Sequence, residues 1–327
     1  MERADDGAFL KHTMNTTAKD ALTGNLACLA AYLIFGFNIV CCKNIANDGH
    51  VPPMSLFLMR SAGALVLFWV MSLCLPEARR ERVERGDLWK IAVASLLGLF
   101  LTQFAFLKAI TMTTAVDASV LGLMTPVMTM VVAAVVLKDR ITWQGVLGLG
   151  VSLAGVLFIV LNSVTGASGA EHTSFGGVLL MFVNATAFAC YVGVFKPIIQ
   201  KYHVVTFMKW MFLFSTLYAL PFSGGVLSIE YGAIPWNIVL QILYVVVGAT
   251  FVAYFLIPVG QKRLKPVLVC MYSYVQPVVA MCISLAVGLD TMTWAKGVAT
   301  VLVFAGVGIV NFSPHAHHHA KALHHNI

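Results

Sequence analysis

Charged side chains are scarce in this chain. Asp, Glu, Lys and Arg make up 11% of its 327 residues, whereas soluble domains carry roughly 25%. Hydrophobic residues make up 59%, and the mean hydropathy is +0.86. The apolar residues fall in repeated stretches of about twenty, long enough to cross a bilayer core of about 30 Å as helices. This composition excludes a soluble domain and predicts an all-α polytopic membrane protein in contact with the lipid bilayer.

Motifs of membrane-embedded enzymes are also missing. The sequence contains no GxSxG, no HExxH and no paired intramembrane carboxylates, so a hydrolase would lack its nucleophile or its metal ligands. It contains no Gly-rich phosphate loop, which excludes direct coupling to ATP. A channel would need continuous polar or charged rings, whereas the polar residues here are scattered. We therefore expect neither enzyme activity nor a cofactor.

Metal-ligand spacing is absent from the cysteines and histidines. The seven Cys lie in or next to apolar stretches, and the adjacent pair Cys41–Cys42 is not a CxxC motif. They are better interpreted as small buried residues. Six of the ten His lie in the tail after Phe312. This tract could bind a metal, but a solvated tail is the preferred interpretation because nothing fixes the ligand geometry. No metal site is expected.

The stretch from Thr125 to Gly155 occurs twice. Its landmarks recur in fixed register 151 positions later, without a gap. The pairs are Pro126 and Pro277, Asp139 and Asp290, Thr142 and Thr293, Trp143 and Trp294, Ala154 and Ala305, and Gly155 and Gly306. Both copies have the pattern of an apolar helix, a polar turn that contains the Asp, and a second apolar helix. So many matches in one register indicate a duplicated unit.

Ten apolar stretches are expected to cross the membrane. They lie at 22–42, 53–75, 88–111, 115–137, 143–163, 176–196, 204–223, 235–257, 266–287 and 294–312. A Gly/Ser/Thr-rich interruption near the middle divides them into two sets of five. The predicted organisation is a cytoplasmic N-terminal segment (1–20), a first five-helix repeat (21–163), an outer linker (164–175), a second five-helix repeat (176–312) and a His-rich cytoplasmic tail (313–327).

The basic residues indicate an orientation. If the N-terminus is cytoplasmic, 17 of the 21 Lys and Arg fall in cytoplasmic segments, and the exceptions are Lys43, Arg60, Lys108 and Lys296. The positive-inside rule then places both termini in the cytoplasm. The formal net charge of +7 reflects this topology. A nucleic-acid partner is therefore not expected.

Each repeat is expected to hold an odd number of spans. The second repeat must then cross the membrane in the opposite sense to the first, so the two form an inverted repeat about an axis in the membrane plane. Secondary transporters are often built in this way, with the substrate site near the midplane where the repeats meet. The sequence predicts alternating access to a small-molecule site. A lipid-handling flippase and a non-transporting membrane scaffold are the alternatives.

The duplicated pattern resembles a known family. Two five-helix repeats, each with Pro, an apolar run, an acidic residue, Thr-Trp and Ala-Gly, look like the EamA-type drug/metabolite transporters, over residues 20–312. The family usually has Glu where this chain has Asp139 and Asp290. The resemblance implies a ten-helix carrier of small organic solutes in the bacterial inner membrane, often an exporter of amino acids or related compounds. It also implies that helices 1, 3, 4, 6, 8 and 9 surround a central cavity.

The first helix of each repeat offers cavity candidates. Asn184, Phe188 and Tyr191 have the spacing i, i+4 and i+7, which places them on one helix face. Aligning the lysines that follow the two helices places Phe35 and Asn38 on the equivalent face of the first helix. Polar groups in hydrocarbon must face protein or a wet cavity. Hydrogen bonding between helices is an equally good explanation.

The fourth and ninth helices offer a second set. Ser273 and Gln276 share a face, and Thr125 occupies the position equivalent to Gln276. Pro126 and Pro277 each remove a backbone donor and disturb the preceding turn. The freed carbonyls could bind a substrate ammonium, although a kink alone is the preferred interpretation. The third and eighth helices add three candidates, Gln103, Phe251 and Tyr254.

Intramembrane charge is the sharpest signal. Arg60 lies seven residues into the second span, so about 10 Å deep at 1.5 Å per residue. Such a charge needs a partner or a path to the interface. Asp117 is the nearest acidic residue by depth, and Lys108 is a nearby cation. We expect an Arg60–Asp117 pair that acts as an outer gate, holds a substrate carboxylate, or is purely structural.

The sequence also bears on proton coupling and on dimerisation. Asp117 could carry a coupling proton, although facilitated diffusion or exchange needs no such group. The small residues of Gly148–Ser152 and Gly150–Ala154 suit either close packing within the chain or the seam of a homodimer.

Overall fold

The computed structural model describes residues 3–136, 143–165, 173–222, 224–264, 269–270 and 272–311, and no strand occurs among them. The polar turn with Asp139 and the His-rich tail lie outside the described residues. The prediction of an all-helical architecture is confirmed. Seven helices in the described ranges are long and apolar enough to cross a membrane, and shorter apolar helices accompany them.

Ten principal helices can be numbered in chain order within these ranges. They are α1 (Arg3–Asp48), α2 (Pro53–Cys74), α3 (Arg85–Ile110), α4 (Ala115–Gly122 and Met124–Val136), α5 (Trp143–Thr165), α6 (Phe175–Val194), α7 (Val204–Ala219), α8 (Trp236–Arg263), α9 (Val275–Ala286) and α10 (Trp294–Asn311). Short helices at Pro76–Arg80 and Lys196–Lys201 precede α3 and α7. The sequence predicted that the eighth span ends at residue 257, whereas α8 continues past Pro258 to Arg263.

The internal repeat is visible in the irregular parts of the helices. α3 contains a π-helical segment at Leu96–Leu101, and α8 contains one at Val245–Val252. Shifting the first segment by the repeat offset of 151 gives residues 247–252, which lie within the second. π-Helical turns are rare and are frequently found at functional sites. Their recurrence in both halves marks the middle of α3 and α8 as equivalent places.

The prolines of the repeat coincide with breaks in α4 and α9. α4 is interrupted by a turn at Leu123, and α9 follows a 3₁₀ turn at Tyr272–Tyr274. Pro126 and Pro277 are each the third residue of the helical segment that follows the break. A proline in a first turn costs no intrahelical hydrogen bond, because the first N–H groups have no acceptor there. The sequence favoured a kink at each proline, whereas the structure has a break in α4 and another before α9.

Two clusters of buried apolar side chains lie at opposite ends of the helices. One contains Phe57 from the start of α2 and Ile110 from the end of α3. The other contains Phe68 from the second half of α2 and Ile91 from the first half of α3. Because the two clusters use opposite halves of the same helices, they leave a middle layer between them.

The last helices of the two repeats pack against each other. The ring of Phe158, near the end of α5, lies 5.8 Å from the ring of Trp294, the first residue of α10. A contact between the end of one helix and the start of the other means that α5 and α10 run antiparallel. This direction agrees with the prediction of two inverted five-helix repeats. On α5, a side chain at Gly150 would meet no atom of the described residues within 4 Å, and the homodimer seam stays a prediction.

Candidate functional site

A cavity of about 90 Å³ lies in the middle layer between the two apolar clusters. This volume is enough for several water molecules. The side chains that line it come from α1, α3, α4, α6 and α8 and from the broken start of α9. Nine of them are among the predicted cavity residues: Phe35, Asn38, Gln103, Thr125, Asn184, Phe188, Tyr254, Ser273 and Gln276.

Seven further lining residues were not among the predicted set: Tyr32, Ile39, Thr102, Phe106, Ala118, Gly122 and Met181. Most are apolar and give no polar signal in the sequence. Tyr32 could have been found, since it lies three positions before Phe35 on the same face of α1. Gly122 follows from the repeat, because it occupies the position equivalent to Ser273.

Two predicted residues, Tyr191 and Phe251, do not line the cavity. Tyr191 lies on the same face of α6 as Asn184, but seven residues further along, which is about 10 Å. Its ring packs on Gly98, and its hydroxyl lies 3.4 Å from Gln261 Oε1. The ring of Phe251 packs 4.7 Å from that of Phe68. Both belong to the apolar layer next to the cavity.

A hydrogen bond joins the two repeats at the cavity. The side-chain amide of Gln103 on α3 donates to the hydroxyl of Tyr254 on α8. These two positions differ by 151, the offset of the repeat. Two equivalent groups can touch each other only next to the axis that relates them. The cavity is therefore located at the pseudo-two-fold axis, where Gln103 and Tyr254 meet.

Arg60 reaches the same place from α2. Its side chain is 1% exposed, its Nε donates to Thr250 Oγ1 at 2.8 Å, and its Nη1 donates to Gln103 Oε1 at 2.7 Å. Among the described residues its partners are neutral, and Nη2 has none. The predicted Arg60–Asp117 pair is therefore wrong. Depth alone suggested it, but Arg60 faces α3 and α8 instead.

The other predicted members of the gate lie elsewhere. Asp117 is buried in the first turn of α4, where its carboxylate accepts a hydrogen bond from Thr173 at 2.5 Å. The backbone N–H of Asp117 donates to Thr114 Oγ1, the N-cap of that helix, at 3.1 Å. Lys108 is on the exposed face of α3. The Asp117 carboxylate is therefore engaged at the start of α4, and Lys108 lies away from the buried Arg60.

A charged network ties the repeats together at one end of the bundle, here called the basic end and defined by residues 76–90, 196–203 and 260–264. Asp87 at the start of α3 accepts hydrogen bonds from Lys90 at 2.8 Å, Lys201 at 2.7 Å and the hydroxyl of Tyr202 at 2.8 Å. Lys201 also pairs with Glu84 at 2.8 Å. These two carboxylates hold the pKa of Lys201 above its usual range.

The opposite end of the bundle is here called the far end. It contains the ends of α1 and α3, the starts of α4 and α8, and the turn after α9. Asn44 at the end of α1 donates to Gln241 on α8 at 3.0 Å. Asp290, in the turn after α9, accepts from the backbone N–H of Val116 at 3.3 Å and so caps the start of α4. Among the described residues no cluster of three or more His, Cys, Asp or Glu could hold a metal ion.

Equivalent lysines occur at the two ends. Lys43, near the end of α1, donates to the carbonyl of Ile110 at the end of α3, at 3.5 Å. Lys196, after α6, donates to the carbonyl of Leu264 just beyond α8, at 3.1 Å. The first contact belongs to the far end and the second to the basic end. A cation on the last carbonyls of a helix is favourable in both places, and the repetition at opposite ends is what an inverted repeat requires.

Comparison with known proteins also divides the chain into two repeats. The sequence profile of the EamA-like transporter family matches residues 22–161 and again residues 175–312, which are the two repeats. The chain belongs to the EamA-like transporter family. As members of that family are membrane transporters, so is this EamA-like protein, and it crosses the membrane several times.

The chain is similar to two known transporters over most of its length. The uncharacterized transporter YetK of Bacillus subtilis is 22% identical over 305 residues, which is 91% of this chain and 90% of YetK. The uncharacterized inner membrane transporter YicL of Salmonella typhimurium is 23% identical, over 88% of this chain and 95% of YicL. A solved crystal structure shares the fold with a TM-score of 0.62, at 18% identity over 94% of this chain and 99% of the other.

Proposed function

We propose that this EamA-like protein is a secondary transporter that carries small organic metabolites by alternating access. The cavity at the pseudo-two-fold axis is the observation that supports this most strongly. Its wall combines aromatic rings such as Phe35 and Phe188 with amides such as Asn38 and Asn184. Apolar walls with a few placed polar groups are typical of small-molecule sites. In inverted-repeat carriers the substrate site lies at this junction.

The contacts at the two ends suggest how access would alternate. The Asp87 network holds α3 against the segment before α7 at the basic end. The Asn44–Gln241 bond holds α1 against α8 at the far end. In the proposed cycle the repeats rock about the axis, so that one set of contacts opens while the other closes. The π segments and the breaks in α4 and α9 are where the helices would bend.

The direction and place of transport are also proposed. We assign both termini to the cytoplasm of a bacterium, with the chain in its inner membrane and amino acids or related compounds as exported cargo. The location of 17 of the 21 basic residues supports this orientation, and one relative, YicL, is an inner membrane transporter. The described residues that line the cavity include no carboxylate, and this favours facilitated exchange over coupling through Asp117. The family supports a non-enzymatic role.

Blocking the cavity tests this function. Within the described part of the chain, a Cβ added at Gly122 would approach Gln276 Oε1 alone, at 4.0 Å. Gly122→Phe therefore projects into the cavity with little disturbance of the core. We expect Gly122→Phe to abolish solute counterflow in proteoliposomes. The matched control is Gly150→Phe on α5, where a Cβ meets no described atom within 4 Å, and this variant should transport normally.

The same vesicles distinguish the alternatives. A carrier shows faster uptake of labelled solute when unlabelled solute is present on the other side, and a scaffold shows none. A flippase moves labelled lipid instead. Counterflow at the wild-type rate in the Gly122→Phe variant would show that this cavity is not the transport site.

A further inference from the structure

We infer that the cavity selects solutes that carry a carboxylate, which accepts a hydrogen bond from Tyr254 and is attracted by the charge of Arg60. This inference rests on the proposed function and names the substrate class for the same site. It follows from the direction of one chain of hydrogen bonds and from the absence of a counter-charge among the described residues around it.

The direction of the chain is fixed at Arg60. A guanidinium can only donate hydrogen bonds, so the atom of Gln103 that faces Arg60 Nη1 at 2.7 Å must be its carbonyl oxygen. The amide nitrogen of Gln103 then points the other way and donates to the oxygen of Tyr254. Because that oxygen already accepts, the hydroxyl hydrogen of Tyr254 is left to donate. No acceptor for it lies within the described ranges.

Tyr254 lines the cavity, so its hydrogen is available to a solute there. Two more hydroxyls of the lining, those of Tyr32 and Ser273, are buried and without a hydrogen-bond partner among the described residues. Buried hydroxyls without partners are costly, and water or a ligand normally satisfies them. Tyr254 therefore offers a hydrogen-bond donor in the cavity, and two further residues of the lining carry hydroxyls without a partner among the described residues.

The charge near this set is positive. Arg60 is 1% exposed, and in the described part of the chain it makes no ion pair. No Asp, Glu, Lys or Arg is among the described residues that line the cavity. A buried cation with neutral partners is costly in the membrane interior and attracts an anion strongly in this low-dielectric environment. A carboxylate at Tyr254 would supply the missing counter-charge, whereas a solute with only a positive charge would be repelled.

Matched pairs of solutes test the inference. Binding to the purified full-length protein is measured by calorimetry and thermal shift at pH 7 with L-phenylalanine and L-phenylalaninamide, 3-phenylpropionate and 3-phenylpropionamide, L-leucine and L-leucinamide, and 2-phenylethylamine. We expect each acid that binds to do so at least about tenfold more tightly than its amide, because hydrogen bonds to a charged acceptor are the stronger kind. The amine should not bind.

Substitutions test whether the preference for acids over amides depends on the hydrogen bonds that link Arg60, Gln103 and Tyr254. Tyr254→Phe keeps the ring and removes the donor, so the acid should lose about tenfold in affinity while the amide changes little. The control Tyr191→Phe removes the hydroxyl of another buried tyrosine, outside the cavity, and should leave the acid-to-amide ratio unchanged. Arg60→Gln should lower the same ratio, and Tyr254→Phe decides the question if Arg60→Gln does not fold.

Several outcomes would overturn the inference. They are equal binding of acids and amides, preferential binding of the amine, no binding of any acid in the panel, and an acid preference that survives in Tyr254→Phe. Counterflow separates these from failure of the proposed function. If neutral or cationic solutes are exchanged, the protein is a carrier and only the carboxylate assignment fails. If no solute of any charge is exchanged, the proposed function itself fails.

Discussion

At the scale of single residues, close contacts between helices depend on glycine. α1 and α8 cross where Gly260 faces Cys28, and a Cβ added at Gly260 would overlap with Cys28 Sγ. A side chain at Gly98 would likewise overlap with the ring of Tyr191. Small residues let the backbones of membrane helices approach closely. These positions fix which helix faces which, and thereby where the cavity residues point.

The Gly260 contact yields a prediction for stability. Gly260→Ala should destabilise the protein by about 1–3 kcal/mol, the usual cost of overpacking. Removing the opposing sulfur in Gly260→Ala with Cys28→Ala should recover much of that loss, because the next atom, Gly24 O, is 3.4 Å away. Thermal unfolding in detergent gives the double-mutant cycle, with Gly150→Ala as the exposed control. Additive losses in the double variant would mean that the two sites do not touch.

At the scale of helices, the irregular segments set the shape of the cavity. The breaks at Leu123 and at Tyr272–Tyr274 lie next to the lining residues Thr125 and Ser273. The repeat predicted their location, because both prolines stand in the duplicated register. It could not predict the π segments of α3 and α8, since one extra residue in a helical turn leaves no mark in an apolar sequence.

The break before α9 can be tested by restoring the missing donor. Pro277→Ala gives back the N–H group and removes the ring that disfavours the preceding turn. We expect the helix to extend toward Ser273 and counterflow to fall several-fold without a loss in melting temperature. Pro53→Ala, at the first residue of α2, is the matched control because no break lies there. Unchanged counterflow in Pro277→Ala would show that the break has no part in transport.

At the scale of the whole molecule, the sequence predicted the architecture better than the polar contacts. The repeat offset and the odd number of spans were sufficient for the inverted repeat, because both are properties of the chain alone. The environment of Arg60 was not predictable in this way. Its partners Thr250 and Gln103 are neutral and come from two other helices, so a search for an opposite charge at similar depth found Asp117 instead. Tyr191 was placed on the correct helix face and at the wrong depth.

The charged network around Asp87 can be tested as a gate at the basic end. Asp87 accepts three hydrogen bonds from Lys90, Lys201 and Tyr202, and Asp87→Asn removes the charge that holds the two cations. The basic end should then open more often. With Gln276→Cys as a reporter in the cavity, an impermeant thiol reagent added on the side of the basic end should label Asp87→Asn faster than the parent protein.

A change at the far end provides the control, because the two ends are expected to act in opposite directions. Asn44→Ala removes the hydrogen bond to Gln241 and should slow labelling from the basic end while speeding it from the other side. A two-state protein must respond in this reciprocal way, since whatever destabilises one closed end raises the population of the state in which that end is open. If both substitutions increased labelling from both sides, they would be loosening the fold, and the two networks would not be alternating gates.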